Sequence, residues 1–221
     1  KYKFQNKNYY IGSCRHSDIS IFSFHPVKTI TTGEGGVVVT NSKKFANSIR
    51  INRSHGIFRK NKNYWKYDIK KVSFNYRLSD INCALGISQL KKIDSFLKKR
   101  KKIYLYYKKY IKQFSPFIKL IESTNSNDGY HLILVNFDFN KLKSNKDELF
   151  KFMNKKGVYP QFHYPPIYKF SFYKKNFLNK FVGTEKYYKN TISMPIYYSL
   201  TKKQLVYIFD LIKKFIAINK K

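Results

Sequence analysis

Acidic residues are scarce in this sequence: 12 Asp and Glu stand against 45 Lys and Arg in 221 residues, a formal charge of +33. Arginine is scarce too, supplying six of the 45 cations, and alanine appears three times. Arginine is the side chain that forks onto phosphates and guanine edges, so a balance built on 39 lysines argues against nucleic acid as a partner. Lys, Asn, Ile, Tyr and Phe share AT-rich codons. The 19 Asn and 23 Ile beside three Ala fit a bias of codon composition rather than selection for a basic surface. The charge would still steer an anionic small molecule toward the protein. No apolar run reaches the roughly 18 residues of a membrane span, so no membrane partner is expected. The opening Lys1-Tyr2-Lys3 is charged and polar, unlike a signal peptide, and cytoplasmic placement is the default. An initiating methionine is missing, and the sequence reads as a piece whose start lies upstream.

Cysteine is nearly absent as well. Cys14 and Cys83 lie far apart, without CxxC or Cys/His metal spacing, so no metal site is expected. Cys83 falls in an apolar helical stretch and is expected to be a small core residue. What is abundant is apolar and aromatic: 43 % hydrophobic and 19 % aromatic residues exclude a disordered polycation. The length suffices for one domain, or one and a half, with a real core.

Residues 18–24 (DISIFSF) alternate and predict a strand, followed by a turn at His25-Pro26-Val27-Lys28. Thr31-Thr32-Gly33-Glu34-Gly35-Gly36 is a glycine-rich turn leading into a second strand to Thr40. Asn41-Ser42 can cap a helix through about Asn52, and 54–72 reads as a basic, aromatic loop. Ser79-Asp80 opens a long helix, predicted from 79 to about 113 on the apolar spacing of 81, 85, 90, 93, 97, 104, 107, 111 and 114. Gly86 inside it costs about 1 kcal/mol relative to Ala, which a close helix contact would explain. Then come a strand over 130–139, a helix over 145–156 ended by Gly157, a strand over 158–164 and an amphipathic helix over 200–217. That succession suggests a small α+β layer. No internal repeat is evident, and the Lys runs 98–102 and 213–214 read as solvated helix faces.

The stretch SFHPVKTITTGEGG carries the chemistry. A lysine amine held in a cleft behind a strand and partly desolvated is freed toward its nucleophilic form. Ser23, at the strand end, can give a hydroxyl to a phosphate, and the glycines let backbone approach a bound group. On composition alone, Lys28, one of 39 lysines, reads more readily as a surface lysine in a tight turn.

These residues resemble the cofactor-lysine signature of the DegT/DnrJ/StrS family of sugar aminotransferases. Arg53-Ser54-His55-Gly56, then Phe74-Asn75-Tyr76-Arg77-Leu78-Ser79-Asp80, then Ala84-Leu85-Gly86 with Gln89-Leu90 resemble family segments in the family's order. So do Gln161-Phe162-His163-Tyr164 and Ser193-Met194-Pro195. The resemblance implies an α/β fold: the C-terminal part of a fold-type I aminotransferase. Residues 1–95 would be the end of the large, cofactor-binding domain, and 96–221 a linker helix with a small α+β domain. It implies pyridoxal 5′-phosphate as cofactor, covalently held by Lys28, which then carries protons as general acid and base. Ser23 matches a phosphate-binding serine. Asn75 matches an asparagine presented to the neighbouring site across a homodimer, or is simply a turn residue. Gln161, His163 and Tyr164 match a segment near the sugar nucleotide, and Arg77 is given no catalytic role. The implied reaction moves an amino group from an amino acid, usually L-glutamate in the family, to a nucleotide-linked 4-keto-6-deoxy sugar. A 3-amino-sugar transaminase of the same family and a noncatalytic basic protein binding nucleic acid or polysaccharide are the alternatives. In the family pattern, the aspartate that pairs with the pyridine nitrogen and the residue that stacks on the ring precede this segment. Asp18 lies in the strand body with the wrong spacing, so the chain is expected to lack a complete cofactor pocket and to be inactive alone.

Overall fold

The chain divides into two compact units, Lys1–Asp94 and Ser95–Lys221. The computed structural model describes residues 1–59, 65–122, 128–173 and 181–220.

The first unit is made of hairpins and helices, and its described residues include no buried apolar side chain. β1 (Tyr2–Phe4) pairs antiparallel with β2 (Lys7–Tyr9) around a turn in which Gln5 and Asn6 take positive φ. β3 (Ser20–Ser23) pairs antiparallel with β4 (Gly36–Val39), in the register Ser20↔Val39 to Ser23↔Gly36. α1 (Lys43–Arg53) starts at Ser42, whose hydroxyl accepts from Phe45 N, as the sequence predicts. The expected loop over 54–72 contains a short antiparallel pair, β5 (Ile57–Phe58) and β6 (Asp68–Ile69); its residues 60–64 lie outside the described residues. α2 (Asp80–Leu90) starts at Ser79, which accepts from Asn82 N.

The predicted single helix from 79 to 113 is instead α2 and α3 (Ile93–Ile111), with Lys91 and Lys92 between them. The apolar spacing contains the reason. The step of five from Leu85 to Leu90 swings the stripe by about 140° at 100° per residue, so one straight helix cannot keep both halves on one face. Cys83 is exposed, not a core residue. None of α2 is buried: Ile81, Leu85, Ile87 and Leu90 are exposed beside it.

The second unit holds the core. Among the described residues, every buried apolar side chain lies between Ile103 and Ile216. β7 (Ile118–Leu120), β8 (Ile133–Phe137) and β9 (Thr191–Met194) form an antiparallel sheet in that order. Ile133, Val135 and Phe137 alternate onto its inner face. The same core takes Ile103, Tyr107 and Ile111 of α3, Leu149 and Met153 of α4 (Lys146–Asn154), and a stripe of α6 (Lys202–Asn219). Asn145 caps α4, and α6 begins with a full capping box between Thr201 and Gln204. α5 (Val182–Asn190) and β9 follow each other directly. The strand predicted over 158–164 is reduced to one bridge, Gln161↔Ser193. Pro160 has no N–H to give a ladder and Pro165-Pro166 end the segment, so only one pair forms.

Candidate active site

The turn between β3 and β4 is cross-linked by its own backbone and hydroxyls. Phe24 N donates to Gly35 O at 2.8 Å, and Thr32 N to Phe24 O at 3.0 Å. The Thr31 hydroxyl donates to Phe24 O at 2.9 Å and the Thr32 hydroxyl to Glu34 O at 2.7 Å. Within this frame Lys28 N donates to His25 O at 2.9 Å, and the lysine is partly buried. Ser23 is exposed at the end of β3, where its Oγ accepts from His25 N at 3.4 Å. His25 Nε2 lies 3.6 Å from the Glu34 carboxylate.

Two glycines are required by this packing. Gly35 sits at φ +152°, and a Cβ there would come within 2.5 Å of the Thr32 hydroxyl oxygen and 2.9 Å of Leu78 Cδ1. A Cβ on Gly86 would meet Thr32 Cγ2 at 2.8 Å. The close helix contact expected for Gly86 is therefore real, and it is with the lysine turn. Asn82, one turn earlier on α2, donates to Glu34 O at 3.3 Å. The sequence reading had no role for Asn82 or Thr32. Thr32 is 3 % exposed, the only buried side chain among the described residues of Lys1–Asp94, a fact visible only in the fold.

Asn75 is exposed in the same unit. It bridges Ser54 at the end of α1, and its Oδ1 accepts from Arg77 N at 3.2 Å, the closed form of an Asx turn. Tyr76 N donates to Arg53 O at 2.9 Å, so the segment is tied to the helix end. A groove of about 650 Å³ between β4 and α1 is lined by apolar groups such as Val37, Ile49 and Leu78, and not by Ser23 or Lys28.

Gln161, His163 and Tyr164 lie in the second unit. Gln161 exchanges backbone bonds with Ser193, at 2.9 and 2.7 Å. His163 Nδ1 is 2.7 Å from Ser193 Oγ, and the His163 carbonyl accepts from the Tyr187 hydroxyl at 3.2 Å. Tyr164 is 69 % exposed with its ring edge-on to His163. Beside this segment Lys146 lies 5.1 Å from the Phe162 ring centre and 4.0 Å from that of Tyr188, and it donates to Tyr188 O. Burial lowers its pKa, and the charge of Lys169 adds to that, against an opposing pull from Asp147. The structure thus brings Ser23 and Lys28 together on one hairpin and Gln161, His163 and Tyr164 together beside β9.

The chain belongs to the DegT/DnrJ/EryC1/StrS aminotransferase family, whose pattern matches residues 4–213. Its relatives include UDP-4-amino-4,6-dideoxy-N-acetyl-beta-L-altrosamine transaminase from Campylobacter jejuni, 41 % identical over 197 residues that make up 88 % of this chain and 51 % of that protein. Among solved structures, PseC of Helicobacter pylori, an aminotransferase in pseudaminic acid biosynthesis, is 30 % identical with a TM-score of 0.83 over 91 % of this chain and 54 % of its own. Spr1654 of Streptococcus pneumoniae, solved in its PLP form, reaches a TM-score of 0.83 at 23 % identity over 93 % of this chain and 53 % of its own, a likeness of fold. The chain spans about half the length of the relatives it matches.

Proposed function

We propose that this chain is part of a pyridoxal phosphate-dependent transaminase that aminates a nucleotide-linked 4-keto-6-deoxy sugar for a surface glycan of the pseudaminic acid kind. The observation that carries the proposal is the lysine hairpin: a partly buried lysine, on a turn cross-linked by its own backbone and hydroxyl hydrogen bonds, with an exposed serine at the neighbouring strand end. Family membership and the printed activity of the Campylobacter relative support the substrate class. The donor set fits the cofactor. Lys28 offers a primary amine for its aldehyde, Ser23 a hydroxyl for its phosphate, and the cross-linked turn holds both against a rigid edge.

Pyridoxal phosphate, when bound, supplies the electron sink. In the proposal Lys28 Nζ holds it between turnovers and, once released, takes and returns the proton at the reacting carbon. Ser23 donates to the phosphate. Asn75 completes the site of a second copy, so the working form is a homodimer with shared sites. Gln161, His163 and Tyr164 receive the sugar nucleotide, L-glutamate is the amino donor, and the enzyme is cytoplasmic. The lysine-rich surface favours encounter with a diphosphate-bearing substrate.

The test is chemical labelling. After borohydride reduction of the full-length holoenzyme, peptide mapping should find the pyridoxyl group on Lys28 rather than on another of the 39 lysines of this sequence. Label spread over the surface lysines, or concentrated on another one, would remove Lys28 from this role.

A further inference from the structure

Ser193 is a polar residue on a strand that has no exposed position. All four residues of β9 are buried, and Ser193 is 5 % exposed. Its backbone is fixed from both sides, by Leu134 of β8 and by Gln161. Ile192 and Met194 belong to the core, so the pleat turns the Ser193 side chain to the other face. There its hydroxyl meets His163 Nδ1 at 2.7 Å. A buried hydroxyl is costly unless it is hydrogen-bonded, and an apolar residue would pack on this strand with less penalty. The neighbouring Thr191 hydroxyl makes the contrast: it is buried and has no hydrogen-bond partner among the described residues. The histidine is held at a second point, where Tyr187 donates to its carbonyl.

We propose that Ser193 is the positioning residue of His163. Its hydroxyl donates to Nδ1 and so keeps the proton of the neutral ring on Nε2. The hydrogen bond made by one ring nitrogen sets what the other presents. A neutral imidazole that accepts at Nδ1 is a donor at Nε2, which suits an anionic nucleotide diphosphate; the opposite tautomer presents a lone pair, which does not. This part of the inference rests on the substrate class proposed above. The Ser193-Met194-Pro195 motif thereby gains a role that sequence resemblance alone did not give it.

The test is ring-nitrogen NMR of the ¹⁵N-labelled full chain, at a pH where His163 is neutral. The expected result is a dominant Nε2–H tautomer. Loss of one neutral hydrogen bond should shift the tautomer ratio about fivefold toward Nδ1–H in Ser193→Ala. Ser193→Thr should restore it, and Thr191→Val should leave it unchanged. A wild-type ring in the Nδ1–H form, an unchanged ratio in Ser193→Ala, or an equal shift in Thr191→Val overturns the assignment. If Ser193→Ala does not fold, a wild-type Nδ1–H ring still overturns the assignment, whereas an Nε2–H ring supports it only where its population exceeds the preference that neutral imidazole has for this form in water. Titration with UDP tests the substrate reading separately. Movement of the His163 signals supports both; an Nε2–H ring indifferent to UDP sinks the substrate reading and leaves the role of Ser193 standing.

Discussion

Glu185 is the best-anchored carboxylate in the second unit. It lies in the first turn of α5, where Lys169 Nζ donates to one oxygen at 2.6 Å and the Tyr168 hydroxyl to the other at 2.9 Å. These two bonds, that from Lys169 first, hold its pKa below the ordinary 4.5. A carboxylate with a depressed folded pKa adds stability above its unfolded value, and that stability is lost as pH falls through the folded value. Denaturation midpoints should therefore drop below about pH 4.5, and Glu185→Gln should flatten that part of the profile. The group is open to solvent, so the effect is small. A profile identical in the two proteins would show that the contacts contribute nothing. At this scale the lysine turn was legible, because Lys28, Ser23 and the glycines are packed into one short stretch. The Ser193–His163 contact was not. Thirty positions separate the two residues, and only the bridge from Gln161 to β9 brings them together.

The helix starts and the strands β3, β4 and β8 were readable in the sequence, and the short strands β1, β2, β5, β6, β7 and β9 were not. Ser42, Ser79, Asn145 and Thr201 all cap helices where hydroxyl or amide side chains precede apolar periodicity. β9 has no alternation because both faces are covered, and so it leaves no period in the sequence. The same amphipathic pattern also misleads about burial. Ile81 of α2 and Ile212 of α6 both sit on helical stripes, yet Ile81 is 83 % exposed and Ile212 is fully buried. Ile212→Ala should cost about 2–5 kcal/mol in the chemical denaturation of the second unit. Ile81→Ala should stay within about 0.5 kcal/mol in the chemical denaturation of the first unit. Equal costs would mean that α2 is covered in solution.

For the molecule as a whole, the charge is the property most open to misreading. Many of the lysines are exposed on α1, α3 and α6, and the exposed arginines on these helices are Arg50 and Arg53 of α1. Such a surface binds duplex DNA through phosphate neutralisation alone, so affinity should be weak, should fall steeply as salt rises, and should show no sequence preference. Filter binding at two salt concentrations with unrelated duplexes is sufficient. Tight, sequence-selective binding at physiological salt would restore the noncatalytic reading of this chain.

The uneven division of the core also governs what calorimetry can see. The heat-capacity increase on unfolding scales with newly wetted apolar surface, and in the described residues the fully sequestered apolar surface belongs to Ser95–Lys221. A thermogram will therefore report the melting of the three-stranded sheet with its helices and be nearly blind to the β3–β4 hairpin. The hairpin that carries Lys28 can lose its order without a calorimetric signature. An unchanged melting temperature is then no proof that a variant keeps its reactive amine in place.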